Sequence, residues 1–99
     1  MDFVITAKDY ANQTQRRLDN RPEHVKGLTE AAKNGNLISA GALTNENGEM
    51  IGSSVHVRFD NREELDAWLA KEPYIVNDVW ETVEISTVNL IDVDKLKQS

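Results

Sequence analysis

Apolar residues follow two different periods along this chain, and the changes of period predict where strands and helices alternate. Phe3–Ala7 is a short, partly β-branched apolar run, which is typical of a strand. A stripe with spacings of seven, three and four then predicts a helix, its members being Leu18, Val25, Leu28 and Ala32. Asn20–Glu23 has the pattern of a helix start, with a capping residue, a proline and a glutamate three places after the cap. Asn34-Gly35 predicts the end of the helix, because glycine readily adopts the left-handed conformation.

Two further strands and a turn follow this helix. Leu37–Leu43 predicts a second strand with apolar residues on both faces. The Asn47-Gly48 pair predicts a tight turn after it. One face of the third strand carries Ile51, Ser53, Val55, Val57 and Phe59.

The last third of the chain predicts one helix and one strand. Asp60–Glu64 opens a helix that directs three residues inward, namely Leu65, Trp68 and Leu69. Glu72-Pro73-Tyr74 ends it, since proline disrupts a helix. A strand is expected from Trp80 to Leu90, with alternating apolar positions at Val83, Ile85, Val88 and Leu90. The charged tail from Asp92 to Ser99 is expected to be loose.

The predicted order is β-α-β-β-α-β, which is the ferredoxin-like pattern of the α+β class. In this fold a four-stranded antiparallel sheet carries both helices on one face, so the other face has no helical cover. Strands two and four place Leu, Ile and Val on both faces, which indicates that the open face is also covered. We expect a second copy of the chain to cover it, in a homodimer. Residues 1–91 form the predicted domain, and residues 92–99 form the tail.

Composition and charge narrow the classes of function. The chain has 99 residues, which suits one domain, and 11 basic against 17 acidic residues give a net charge of −6. This charge argues against nucleic acid and anionic membranes as partners, because both attract positive charge. Without cysteine, disulfides and zinc–thiolate sites are excluded. No signal peptide and no apolar run of about 20 residues is visible, so we expect a soluble, cytoplasmic protein.

Several motifs taken in chain order resemble the YciI-like family over nearly the whole length. They are Ala7-Lys8-Asp9, Arg21-Pro22-Glu23-His24-Val25, Asn36–Gly41, Gly52-Ser53-Ser54 and Glu72-Pro73-Tyr74. The resemblance implies a dimeric α/β-barrel, in which two ferredoxin-like subunits pack sheet to sheet. It also implies a pocket between sheet and helices with a His–Asp pair, which matches His24 and Asp9 here. Members are mostly of unknown function, and a related protein acts in chlorinated-aromatic degradation.

Two features of the sequence depart from the family pattern. Family members often have a proline after the alanine-glycine pair, whereas Ala42-Leu43 follows Gly41 here. The loop between the second and third strands is also short, running only from Thr44 to Glu49. A longer loop would help to close a pocket, so the substrate need not be shared with the family.

The proposed pair is also chemically plausible on its own. Asp9 follows the first strand and His24 lies near the start of the next helix, and these ends meet at one edge of a sheet. A carboxylate bonded to one ring nitrogen fixes the imidazole tautomer and leaves the other nitrogen as a base. The structural alternative is that His24 edges the core and that Asp9 caps the following turn.

Other candidates contribute binding groups at most. Tyr74, Ser54 and Gly41 are candidate substrate-binding residues; a tyrosine after a proline more often packs on the sheet. Ser53 and Ser54 lie beside Gly52, where the missing side chain lets a ligand or another backbone approach closely, although a glycine that serves strand twist or a dimer contact is the simpler interpretation. His56 shares a polar strand face, where a merely exposed side chain is the simpler interpretation. We expect no metal and no cofactor, because two histidines without a third clustered ligand and without a phosphate-binding motif indicate neither.

Two hypotheses of function follow. In the first, His24, oriented by Asp9, is a cofactor-independent general acid/base acting on a small organic molecule. In the second, the same cavity makes the homodimer a non-catalytic module that binds a small ligand or a protein. A cavity without a His24–Asp9 hydrogen bond would favour the second, and a cavity filled by Tyr74 and apolar neighbours would indicate a structural role.

Overall fold

The computed structural model describes residues 1–99 and confirms the ferredoxin-like α+β fold. The elements in chain order are β1 (Asp2–Asp9), α1 (Thr14–Lys33), β2 (Leu37–Thr44), β3 (Met50–Arg58), α2 (Arg62–Leu69), α3 (Pro73–Val76), β4 (Trp80–Thr87) and α4 (Val93–Lys97). The strands form one antiparallel sheet in the order β2-β3-β1-β4. None of the helices is long and apolar enough to cross a membrane.

The hydrophobic core lies between the helices and one face of the sheet. Phe3, Ile5 and Ala7 of β1 are paired with Val57, Val55 and Ser53 of β3, and paired residues in adjacent strands point to the same face. All six of these residues are buried, as is Phe59, so the predicted inward face of β3 is confirmed there. Ile51 is the exception and is exposed.

Helix α1 begins two turns before the predicted start. It runs from Thr14, and Pro22 lies inside it. Contacts with the rest of the fold hold this first half in place: Arg16 Nη1 donates to the Asp78 carbonyl at 3.1 Å, and Asn77 donates to Asn20 at 2.8 Å. The start predicted at Asn20–Glu23 is therefore wrong, because these contacts offset the cost of an interior proline, roughly 3 kcal/mol.

The buried face of α1 is displaced by about one residue from the predicted apolar stripe. Leu18 of that stripe is 45% exposed, whereas the residues that α1 buries are Arg17, His24 and Ala31. The prediction failed because the hydrophobic pattern counts arginine and histidine as outward-facing. Here both have carboxylate partners inside the protein, which makes their burial tolerable.

The second helix follows its pattern closely. Asn61 caps α2 by accepting a hydrogen bond from the Glu64 amide, and Leu65 and Leu69 are buried. The chain break at Glu72-Pro73 then begins a short helix, α3, which the sequence did not predict. The Glu72 side chain caps it and Pro73 occupies its first turn.

Backbone geometry accounts for two glycines. Gly48 has a φ of 78° in the predicted turn between β2 and β3. Gly52 lies so close to β1 that an added Cβ would meet the Ala7 carbonyl oxygen at 2.3 Å. The close approach that Gly52 permits is therefore to a neighbouring strand of the same chain.

The open face of the sheet is more polar than expected. Strand β4 ends at Thr87, before Leu90, and its Val83 and Ile85 pair with Ala7 and Ile5 on the helix side. The expectation of apolar residues on both faces is therefore wrong for β4. The open face carries Val4, Thr6, Ser54, His56, Thr82, Glu84 and Ser86, and β2 adds Ser39 and the apolar Leu43 to it. Beyond it, the charged tail contains the short helix α4, capped by Asp92.

Candidate functional site

A cavity of about 160 Å³ separates α1 from strands β2 and β3. Small side chains on β2, at Ala40 and Ala42, leave this space open. Helix α1 contributes Arg17, Arg21 and His24 to the lining. Tyr74, Gly41 and Ser53 also line the cavity, and the remaining lining residues are Val25, Leu28, Met50 and Val55. The basic lining residues therefore all come from the helix, which also contributes the apolar Val25 and Leu28, whereas the sheet contributes small or apolar residues.

His24 is held by a carboxylate from α3. Its Nδ1 lies 2.5 Å from Glu72 Oε1, and the two side chains are 8% and 1% exposed. The same oxygen accepts a hydrogen bond from the Tyr74 amide at 3.2 Å, which is the cap of α3. With Glu72 ionised, Nδ1–H donates and Nε2 carries the free lone pair. Nε2 has no hydrogen-bond partner within the chain and is not fully buried.

Aromatic packing fixes the plane of the imidazole. The rings of His24 and Tyr74 are stacked with centroids 3.9 Å apart and an angle of 13° between planes. Trp80 meets both rings edge-on, at 6.1 Å from His24 and 5.7 Å from Tyr74. Arg17 also lies over the Tyr74 ring, 4.8 Å from its centroid. Stacking and the Glu72 bond together leave His24 little rotational freedom.

Asp9 belongs to a second buried network, centred on Arg17. Arg17 Nη1 donates to both Asp9 oxygens at 3.0 Å, and Nη2 donates to Ser53 Oγ at 3.0 Å. Ser53 Oγ also accepts from Trp80 Nε1 at 3.1 Å. Arg17 Nε is buried without a partner. This network joins α1 to three strands of the sheet.

Burial shifts the pKa of two groups near the cavity. It raises the pKa of Asp9 above its ordinary value, and the Arg17 guanidinium beside it acts in the opposite direction. Burial also raises the pKa of Tyr74, opposed by the charges of Arg17 and Arg21. The Tyr74 hydroxyl is therefore a neutral donor at physiological pH, and it has no hydrogen-bond partner within the chain.

The structure does not form the hydrogen bond between His24 and Asp9 that the sequence predicted. Nδ1 of His24 is bonded to Glu72, and both oxygens of Asp9 are bonded to Arg17. The physical reason is that Arg17, which lies two helical turns before His24 on α1, occupies both oxygens of Asp9. Their catalytic roles stay predictions.

The other predicted residues divide between the two faces of the sheet. Tyr74 and Gly41 line the cavity together with His24. Ser54 pairs with Thr6 on the open face, where His56 also lies, so neither residue reaches the cavity. Ser53 faces the cavity in place of Ser54.

Sequence reasoning missed Glu72, Arg17 and Arg21. A signal for the two arginines existed, since Arg17, Arg21, His24, Leu28 and Ala31 repeat with helical spacings of four, three, four and three. Glu72 stands directly before a proline, a position that caps a helix. Nothing in the sequence, however, indicated that the cap would also reach His24.

Metal-ligating side chains are dispersed in this structure. No group of three or more His, Cys, Asp or Glu side chains comes together to hold a metal ion.

Comparison with known proteins places this chain in a family. The model of the YCII-related domain matches residues 1–89. The protein YciI of Escherichia coli O6:H1 is 33% identical over 91 residues, which cover 86% of this chain and 93% of that protein. An uncharacterized protein of Haemophilus influenzae is 32% identical over 89 residues, covering 84% and 91%.

Solved structures share the fold at lower identity. One is 5-chloro-2-hydroxyhydroquinone dehydrochlorinase from Burkholderia phenoliruptrix in complex with 2,5-dihydroxybenzoquinone, with a TM-score of 0.81, 18% identity, and 90% of this chain and 94% of that chain covered. An antibiotic biosynthesis monooxygenase has a TM-score of 0.55 and 8% identity, covering 92% and 98%. These neighbours share the α+β fold of this chain. From the domain match and the curated relatives, the chain belongs to the YCII-related domain family.

Proposed function

We propose that this protein is a cofactor-independent acid/base enzyme acting on a small organic molecule, with His24 as the general acid/base. One observation carries the proposal: the imidazole is bonded through Nδ1 to Glu72 at 2.5 Å, while Nε2 has no partner in the chain. His24 also lines a cavity of about 160 Å³, so a ligand there can come within reach of the ring. A positioned imidazole of this kind typically accelerates proton transfer about 10²–10⁴-fold.

Glu72, rather than the predicted Asp9, is the carboxylate bonded to His24. A carboxylate acceptor at Nδ1 holds the ring in the tautomer that presents an unprotonated Nε2. It also stabilises the imidazolium that forms when Nε2 accepts a proton. The Tyr74 hydroxyl is a neutral donor in the cavity lining, available to bond a substrate oxygen.

Proton abstraction, isomerisation and elimination suit one imidazole without a cofactor. In an elimination of HCl, Nε2 would take the proton, the electrons of the bond to that proton would form the new double bond, and chloride would leave with the electrons of the carbon–chlorine bond. The dehydrochlorinase that shares this fold supplies a concrete first assay, chloride release from 5-chloro-2-hydroxyhydroquinone. A panel of ketones and phenols, tested for uptake of solvent deuterium, covers proton abstraction more broadly.

The decisive comparison is His24→Gln against His56→Gln. His56 lies on the open face, so its replacement removes a histidine without touching the cavity. We expect His24→Gln to lower turnover at least about 100-fold and His56→Gln to leave it unchanged. Equal activity in the wild type and in folded His24→Gln would contradict the proposal.

The second candidate is a non-catalytic module that binds a small ligand in the same cavity. The missing His24–Asp9 bond favours it, because that bond was the expected mark of a catalytic pair. In this case the wild type would bind compounds of the panel without converting any of them. Tyr74 lines the cavity but does not fill it, which argues against a purely structural role.

We also propose that a second copy of the chain covers the open sheet face. No helix of this chain packs there, and Val4 and Thr6 at its centre are only half-buried. The interface would be mainly polar, with His56 and Glu84 on it. Sedimentation at micromolar concentration tests this, and a monomer would contradict it. Location in the cytoplasm stays a prediction.

A further inference from the structure

The cavity beneath α1 has an unusual charge for this protein. The chain carries a net charge of −6, yet none of the residues that line the cavity is acidic. Its ionisable lining residues are Arg17, Arg21, His24 and the neutral Tyr74. The chain has 17 acidic and 11 basic residues, so a cavity with an average composition would include carboxylates. Their absence from this lining therefore requires a specific explanation.

Arg21 is the one basic lining residue without a partner. Arg17 is neutralised by Asp9, and His24 is bonded to Glu72. The guanidinium of Arg21 takes part in none of the hydrogen bonds or ion pairs of the structure, although its charge acts on Tyr74. Arg21 is an exposed residue, so its guanidinium keeps its full set of donors at the solvent-facing side of the cavity, where a ligand can reach them.

The volume and remaining lining of the cavity suit a ligand of one ring. Its volume of about 160 Å³ is close to that of a cavity known to accept benzene, about 150 Å³. Apolar side chains at Val25, Leu28 and Val55 suit an aromatic face. Hydrogen-bonding groups without partners, on His24 and Tyr74, suit an oxygen substituent.

We infer that this cavity binds a small planar organic anion, such as a carboxylate, phenolate or enolate, and that Arg21 selects for its negative charge. This inference rests on the proposed function in that it names the ligand class of the same site. It assigns Arg21 to specificity and leaves proton transfer to His24. An anion here would also lie close to Nε2, which would take the proton from the ketone or phenol as the enolate or phenolate forms and return it in the reverse step.

Benzoate and benzamide form a suitable pair of probes, because they have nearly the same shape and differ in charge. Binding is measured for each by isothermal titration and by amide chemical-shift changes. We expect the wild type to bind benzoate roughly tenfold more tightly than benzamide, and the preference to fall with added salt. Shifts should centre on α1 and β2.

Arg21→Gln tests the selecting residue, and Lys26→Gln is its matched control. Both variants remove one positive charge from α1, but Lys26 does not line the cavity. We expect Arg21→Gln to bind the two probes equally, and Lys26→Gln to keep the preference for benzoate. This outcome would show that the preference for benzoate comes from contact with Arg21 and not from the net charge of the protein.

Three results would overturn the inference. They are equal affinity of the wild type for both probes, an undiminished preference in Arg21→Gln, and no binding of either probe at millimolar concentration. The His24→Gln variant distinguishes this failure from failure of the proposed function. If it keeps the benzoate preference but shows unchanged turnover, the acid/base proposal fails and the anion site stands.

Discussion

The two helices that pack on the sheet, α1 and α2, bury opposite kinds of side chain. Helix α2 buries Leu65 and Leu69, as its apolar pattern predicts. Helix α1 buries Arg17 and His24, with only Ala31 as an apolar companion. Apolar contacts close the space beneath α2, whereas the polar face of α1 stands over a cavity. The chemistry of this protein is therefore expected beneath α1.

The two helices also differ in what fixes their position. Apolar packing is non-directional, so it brings α2 onto the sheet without specifying each contact. Hydrogen bonds and ion pairs have strict geometry, so those of Arg17 and His24 set the rotation of α1 about its axis. This accounts for the displacement of the buried face from the apolar stripe.

The largest loss of stability should come from removing the bonds of Arg17 to Asp9 and Ser53, which hold α1 on the sheet. Arg17→Met leaves the Asp9 carboxylate buried without its partner, and such losses cost about 3–5 kcal/mol in the free energy of unfolding. Urea denaturation measures it. Adding Asp9→Asn to Arg17→Met should recover part of the loss, because the unpaired charge is then removed. A single variant as stable as the wild type would contradict the anchoring role.

Truncating a buried apolar residue of α2 should lower the free energy of unfolding somewhat less. Leu65 is fully buried, and Leu65→Ala is expected to lower the free energy of unfolding by about 2–5 kcal/mol through lost contacts and a cavity. Glu63→Ala, on the exposed side of the same helix, should change it by no more than about 0.5 kcal/mol. Similar losses in the two variants would mean that the helix is not held by its apolar face.

Pro22 tests whether α1 is one helix from Thr14. Inside a helix, proline lacks a donor for the carbonyl four residues earlier, so Pro22→Ala should stabilise the protein, by about 1–3 kcal/mol. Thermal and urea unfolding would show the gain. If the helix instead began at Pro22, proline would be favourable there, and the substitution would destabilise the protein.

A smaller effect is expected at alkaline pH. Burial raises the pKa of Tyr74, so its stabilising contribution is complete below the unfolded value of about 10 and is lost as pH rises through the folded value. Tyr74→Phe should reduce this alkaline loss of stability, which denaturation at several pH values would reveal. Tyr10→Phe, at an exposed position, is the control and should leave the loss unchanged.

The sequence predicted the fold better than the site. Element order followed from periodicity, and α2 and β3 bury the side chains that alternation and helical spacing indicated. The buried face of α1 could not be predicted from apolar spacing, because burial of Arg17 depends on Asp9 and Ser53 from other elements. The link from His24 to Glu72 spans 48 positions, and local pattern contains no information about such a contact.

In this structure Glu72, and not Asp9, is bonded to His24 and orients its ring. Nitrogen-15 chemical shifts of the imidazole report the tautomer directly, when measured well above the ordinary histidine pKa of about 6.5. We predict a proton on Nδ1 and none on Nε2 in the wild type and in Asp9→Asn, and a mixture of tautomers in Glu72→Ala. Loss of the preference in Asp9→Asn, with its retention in a folded Glu72→Ala variant, would contradict the account.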